Sequence, residues 1–335
     1  MTLVRLIISI LLLYTCTYPI TKLDAVIDSA MVSLVRQEYD EARRYLNTAL
    51  SIDRDNSDAL YLLATVEQTE LLDYESYTIH GEEFLRLADS ILGVFERKES
   101  KSKDIKNLFY IGNICGGKGI IKAKTGNWIG AVKDALESVS YLKKVKSEAP
   151  DFYAAYLGVG VFNYYLSQNL KWIPFLGDKS DEGLRDIKRA TQARFPYNYA
   201  AKNTLAWILI DRKEFGAADS IVASVLTDYP NNTIFLRIRA RIALWTGRYD
   251  KAIAVAEKLC GLSEKRKPVN WSDLLSGYQI VAQSYEKKKD YTSCYQTARK
   301  ALNCKVPSSY RQIGYVQQHS DYLKNILKDY KRYGE

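Results

Sequence analysis

Apolar residues along most of the chain recur at three- and four-residue steps, in paired stretches joined by short polar turns. That spacing sets one apolar stripe on each of two consecutive helices. In the clearest stretch, Leu236, Ala240 and Ala243 share a face of a first helix, Gly247 turns the chain, and Tyr249, Ala252, Ala256 and Leu259 line a second. Alanines along the seam let the two helices approach closely, and an aromatic ring plugs what is left. A step of 34 residues back finds Ala206, Ala218, Val222, Val225 and Pro230 in matching places. A step of 42 residues forward, lengthened around residues 265–270, finds Tyr278, Val281, Ala282 and Tyr285 before Tyr291, Cys294, Ala298 and Ala301. Near the start, Tyr39, Ala42, Leu46 and Ala49 repeat the second-helix pattern. Hairpins of this kind cannot bury their faces alone, so they stack in register.

The middle is less regular. Its stripes predict helix pairs over residues 58–72 and 81–95, 104–124 and 127–146, and 152–166 and 181–193, with Pro150 closing the second pair. An apolar insert containing Trp172, Pro174, Phe175 and Gly177 separates the last two helices. A final amphipathic helix over 309–333 puts Ile313, Val316, Leu323, Ile326, Leu327 and Tyr330 on one side, where it would cap the last hairpin. The expectation is all-α: a right-handed α-solenoid of about seven hairpins with a C-terminal capping helix. It occupies 23–335, regular over about 23–56 and 197–306 and irregular over 57–196.

Particular residues carry a family resemblance. Glu38-Tyr39-Asp40-Glu41-Ala42, Leu205-Ala206 with Tyr229-Pro230-Asn231-Asn232, and Gly247-Arg248-Tyr249-Asp250-Lys251-Ala252 resemble the tetratricopeptide repeat. Arg54 stands where that repeat ends in Pro, and Arg239 where an apolar residue usually packs. In the middle, Phe109-Tyr110-Ile111-Gly112, Gly126-Asn127-Trp128, Phe152 to Gly160 and Trp172-Ile173-Pro174-Phe175 look like a group of exported bacterial repeat proteins. They are also distantly similar to a eukaryotic outer-mitochondrial repeat family. Neither resemblance implies an enzymatic activity.

The first 22 residues read as an address. Arg5 precedes Leu6 to Tyr14, nine largely apolar residues without charge. A span needs about 20 such residues, so the stretch fits the apolar region of an export signal. Leu13-Tyr14-Thr15-Cys16 resembles a lipobox, which would make Cys16 a lipidated first residue, although Tyr14 and Thr15 stand where small residues are expected. Cleavage after Ala25 competes with it. Either way the expected location is outside the cytoplasm, in the periplasm or anchored to the outer membrane.

Composition adds exclusions. Two His and two Met among 335 residues leave no basis for a His-rich metal site, and no metal or cofactor is expected. Of the net charge of +9, +7 falls between Gly261 and Glu335, and its runs, Lys265-Arg266-Lys267 and Lys287-Lys288-Lys289, border helix ends, where they read as solvated caps ahead of a basic binding face. No nucleic-acid partner is expected. Gly112-Asn113-Ile114-Cys115-Gly116-Gly117-Lys118-Gly119 matches a phosphate-binding loop only until Gly119 takes the place of its Ser or Thr. Close helix packing is the better account. Cys115 has no neighbouring His, while His80 and His319 read as surface or capping residues, and the carboxylates as partners in pairs along single helices. Cys260 and Cys304 lie near ends of neighbouring second helices, where either a bridge or two free thiols would fit. Asn231-Asn232-Thr233 and Asn270-Trp271-Ser272 are glycosylation acceptors only in a eukaryotic secretory route.

What remains is binding. A solenoid offers a concave groove lined by first helices, and here the 26 Tyr matter. Tyr153, Tyr156, Tyr164, Tyr165, Tyr197 and Tyr199, with Trp172 and Phe175 of the insert, are the candidate partner contacts, since aromatic rings with a polar tip favour protein surfaces. The expected role is a non-catalytic protein-interaction scaffold of the bacterial cell envelope, with an unknown protein partner in the groove. The alternative is a small-molecule or glycan carrier with a Tyr-rich pocket beneath residues 172–179.

Overall fold

A computed structural model describes residues 22–169 and 178–333. Cys16, Trp172 and Phe175 lie outside the described residues. The helices pair in chain order: α1 (Lys22–Val35) with α2 (Tyr39–Ile52), α3 (Ser57–Asp73) with α4 (Tyr77–Glu99), and α5 (Ile105–Lys124) with α6 (Trp128–Glu148). Then follow α7 (Ala155–Asn169) with α8 (Ser180–Ala190), α9 (Tyr197–Asp211) with α10 (Phe215–Asp228), α11 (Thr233–Trp245) with α12 (Tyr249–Lys265), and α13 (Trp271–Lys287) with α14 (Tyr291–Leu302). These are seven hairpins of an α-solenoid, as the stripes require.

The seams are where the sequence puts them. Ala42, Ala206, Ala218, Ala240, Ala252, Ala256 and Ala298 are fully buried. Around them sit Leu46, Leu236 and Leu259, each contributing roughly 1.5–3 kcal/mol by leaving water. The cap differs from expectation in one respect. It is broken into α15 (Ser308–Arg311) and α16 (Gly314–Asp329), because Ile313 takes an extended conformation (φ −70°, ψ 122°) that turns its side chain into the core. Val316, Leu323 and Ile326 of α16 then close the apolar face of α13 and α14.

Six of the turns between first and second helices share one geometry. A single residue enters the left-handed region: Gln37, Glu75, Gly126, Lys213, Gly247 or Lys289. The N–H of the next residue then bonds back to a carbonyl in the last helical turn, as in Glu38 N–H to Ser33 O (2.9 Å) and Arg248 N–H to Ala243 O (2.8 Å). Only two of the six are glycines. At the others an L side chain costs about 1–2 kcal/mol, which the packed hairpins must offset.

The Gly-rich stretch of the phosphate-loop resemblance lies inside α5. Its N–H groups are engaged in the helix, and Cβ atoms at Gly112 and Gly116 would meet Leu142 and Ser138 of α6 at 2.9 Å. A tighter crossing joins α7 and α8: a Cβ at Gly183 would lie 2.6 Å from Gly160 O and 2.7 Å from Tyr164 N. Both are backbone atoms and cannot swing aside. Gly183→Ala is therefore expected to lower the unfolding free energy by about 3 kcal/mol, the upper end of overpacking costs, read from the shift of the urea midpoint.

Candidate functional site

The interior begins with a feature that short-range stacking does not produce. Hairpins 1 and 2 meet hairpins 6 and 7. Asn232, at the start of α11, donates from Nδ2 to Val35 O (2.8 Å) while its Oδ1 caps Phe235 N–H (3.2 Å). Asn270, at the start of α13, repeats the arrangement: Nδ2 to Asp73 O (3.1 Å), Oδ1 from Asp273 N–H (3.0 Å). Each amide ties its own helix to a turn 197 residues earlier. Between them, Gln37 exchanges two bonds with Thr233, donating from Nε2 to Oγ1 (3.1 Å) and accepting its N–H at Oε1 (2.7 Å). The superhelix thus returns on itself after five hairpins.

Asp73 is the centre of this latch. Its buried carboxylate accepts from Gln37 Nε2 (2.8 Å), Tyr39 Oη (2.8 Å) and Arg266 Nη1 (2.7 Å). Arg266 also lies over the rings of Tyr39 and Tyr74, at 5.3 and 4.7 Å. Burial opposes the Arg266 charge, but Asp73 more than restores it and holds the guanidinium above its ordinary value. Arg266 is thus no solvated cap, contrary to the reading of its basic run.

In the middle, the chain fills its own groove. Tyr61 stacks on Tyr110 (4.2 Å between ring centres, planes 13° apart), and Phe109 packs against Phe152 at 4.8 Å. Tyr197 crosses from α9 to meet Phe109 at 5.4 Å and Tyr61 at 6.1 Å. Tyr197 is a bolt across the groove. Tyr156 and Tyr164 are core residues, 3% and 4% exposed, which corrects their assignment to a lining. Tyr153 stands edge-on to Tyr156 with Arg189 over both rings, at 5.2 and 4.8 Å. Tyr165 is exposed beside Tyr164, and Tyr199 packs between Phe195 and Tyr229. Among the described residues no ring contact joins these groups into one surface. The pocket expected beneath the insert rests on residues outside the described ones. Among the described residues two shallow hollows lie elsewhere, one of about 380 Å³ beside Phe215 and Arg248 and one of about 310 Å³ beside Asp89 and Cys115.

The first helices of hairpins 6 and 7 carry charge inward. On α11, Arg237 Nη1 pairs with the fully buried Asp273 (2.7 Å). Desolvation, opposed by Arg237, pushes the Asp273 carboxyl up to about 6. One turn on, Arg241 touches Ser276 Oγ at 3.3 Å and lies 5.7 Å above the Trp207 ring. No carboxylate pairs with Arg241 among the described residues. Burial, and then Arg237, depress its guanidinium below the usual value. One turn before Trp207 on α9, Asn203 Oδ1 is buried with no partner among the described residues. His319 of α16 faces the same region, hydrogen-bonded to Gln279. It is buried, not the surface residue its sequence position suggested. Burial, then Arg241 and Arg237, lower it to about 4, so it is neutral at pH 7. Arg241, Trp207 and Asn203 were not singled out in the sequence. The signal was available in Arg237 and Arg241, two cations one turn apart on a first-helix stripe.

The groups that the sequence offered as candidate chemistry are engaged elsewhere. Lys118 of the Gly-rich stretch is paired with Asp89 at 2.5 Å. The Cys115 thiol is buried, and desolvation pushes it up to about 12, which keeps it protonated at neutral pH. Cys260 and Cys304 are free thiols. The buried carboxylates Asp73, Asp134, Asp186 and Asp273 pair across helices, with Arg266, Lys122, Lys146 and Arg237, and not along single helices as expected. No helix among the described residues is long and apolar enough to cross a membrane, and no described cluster of His, Cys, Asp or Glu could hold a metal.

Comparison with solved structures places the fold among tetratricopeptide-repeat proteins. In the anaphase-promoting-complex hetero-tetramer Cut9–Hcn1, the match reaches a TM-score of 0.55 at 14% identity, covering 93% of this chain and 53% of that one. The chain thus spans about half the length of that relative. A tetratricopeptide repeat protein from Parabacteroides merdae matches over 90% of this chain and 99% of its own (TM-score 0.41, 14% identity). The type IV pilus biogenesis factor PilW matches over 87% and 97% (TM-score 0.39, 14% identity). No family model and no curated protein matches the sequence. The chain has the tetratricopeptide-repeat fold.

Proposed function

We propose that the chain is a non-catalytic scaffold of the bacterial cell envelope that holds an acidic segment of a partner protein along α9, α11 and α13. The observation that carries this is Arg241, a half-buried cation seated on Trp207 without a carboxylate. A guanidinium stripped of water gains most from a charge-assisted, two-pronged hydrogen bond, and a partner's Asp or Glu supplies one. Asn203 Oδ1 offers an acceptor for a backbone N–H of the same segment. The groove of the middle hairpins, filled by Tyr61, Phe109 and Tyr197, is not the seat. The envelope location is read from residues 5–16, with Cys16 as the proposed lipid attachment.

Crosslinked capture from the native envelope fraction tests this. Wild type should retain a protein whose crosslinked peptide is acidic, and Arg241→Gln should reduce its recovery about 10-fold, as loss of a charged hydrogen bond does. Equal recovery by both would refute the site. A small ligand that co-purifies without any protein above background would favour the carrier reading.

A further inference from the structure

We propose that the exposed face of α6 docks on an anionic lipid surface. Four large apolar side chains stand in water on this one helix: Trp128 is 67% exposed, Ile129 88%, Val132 58% and Leu136 53%. The opposite face is spent on the hairpin, with Ala131, Ser138, Leu142 and Val145 buried. At about 100° per residue the four apolar positions fall within roughly 100° of arc. Lys133, Lys143 and Lys144, all exposed, extend that arc toward the C-terminal half of the helix. No carboxylate of α6 falls inside the arc, although Glu137, with Asp89 and Glu96 of α4, borders it beside Lys133. Asp134 is buried against Lys122, Glu137 lies at its edge, and Glu148 closes the helix beyond it.

That distribution suits a bilayer interface better than a protein. An interfacial helix sinks its apolar face about 5–10 Å into the boundary between headgroups and acyl chains, with Trp at headgroup level and lysines reaching back to phosphates. Here Trp128 begins the helix, the aliphatic residues follow within two turns, and the lysines lie beside and beyond them. Charge complementarity selects anionic lipid, since each lysine near such a surface adds to the attraction. The surface is separate from Arg241 and does not depend on the partner segment.

The full chain is tested by co-sedimentation with phosphatidylcholine vesicles, with and without phosphatidylglycerol. Binding is expected only when phosphatidylglycerol is present, and it should weaken with salt. Replacing Ile129 and Leu136 by Glu should weaken it about 10-fold, and replacing Lys133, Lys143 and Lys144 by Gln should do likewise. Neither set should move the thermal midpoint, because every replaced side chain is exposed. Any contribution of residues 1–21 is common to all three proteins. The proposal is overturned if both variant sets bind as wild type does, if binding ignores the lipid charge, or if no vesicle is bound. It is also overturned if the Glu variant abolishes self-association in solution while vesicle binding persists, because a second copy would then cover α6.

Discussion

Asp73→Ala is expected to destabilise the protein by about 3–5 kcal/mol, the cost of leaving one member of a buried ion pair alone. The substitution removes three hydrogen bonds, and its larger effect is to strand Arg266, which stays desolvated between Tyr39 and Tyr74 with no counter-charge. Urea unfolding gives the magnitude. Hydrogen exchange at the Thr233 amide, which donates to Gln37 Oε1 across the latch, shows whether the loss is local opening. Replacing Asp73 and Arg266 together by Leu should recover most of the stability, since an apolar pair carries no unpaired charge. If the single and double variants are equally unstable, the ion pair is not the cause.

The second large effect depends on pH. His319 is buried with Gln279 as its partner, facing Arg241, Arg237 and Tyr315, and its folded-state value is about 4 against an ordinary 6.5. The unfolded chain takes up a proton as pH falls through 6.5, while the folded chain does so only near 4. Stability is therefore complete above 6.5 and is lost across that window, by about 3 kcal/mol. Asp273, raised to about 6, works in the opposite sense: the folded state binds its proton first, so stability rises as pH falls from 6. Comparing wild type with His319→Gln isolates the histidine, since Asp273 is common to both and Gln can still bond Gln279. Between pH 7 and 4, wild type should lose about 3 kcal/mol more than the variant. Parallel pH profiles would show that His319 is not neutral when folded.

The hairpins were legible because stacking is a local rule that writes itself as a period. Ala206, Ala240 and Ala252 announced their seams through spacing alone, and Gly112 to Gly119 proved to be packing residues inside α5, as expected. The latch has no such signal. The pairs Arg266–Asp73, Thr233–Gln37, Asn232–Val35 and Asn270–Asp73 lie 193 to 197 residues apart, and each residue looks ordinary in its own neighbourhood. Arg266 sits in a run of three cations, and Asn270 begins an Asn-Trp-Ser triplet whose side chain is in fact fully buried. The core positions of Tyr156 and Tyr164, and the place of Tyr197, escaped notice for a related reason. A stripe of rings on first helices predicts a groove lining only if the groove stays open. Tyr197 instead reaches Tyr61 and Phe109 across it.

The return after five hairpins also sets an order of assembly. In an ordinary solenoid each hairpin is complete once its neighbour exists. Here Asp73 and the turn at Gln37 wait for Thr233, Arg266 and Asn270, so the first two hairpins emerge from the ribosome with buried-type polar groups still facing water. Closing so long a loop is cheap, because each doubling of length costs only about 0.6 kcal/mol. The delay is one of synthesis, not of entropy. The first two hairpins are completed by residues 232–270.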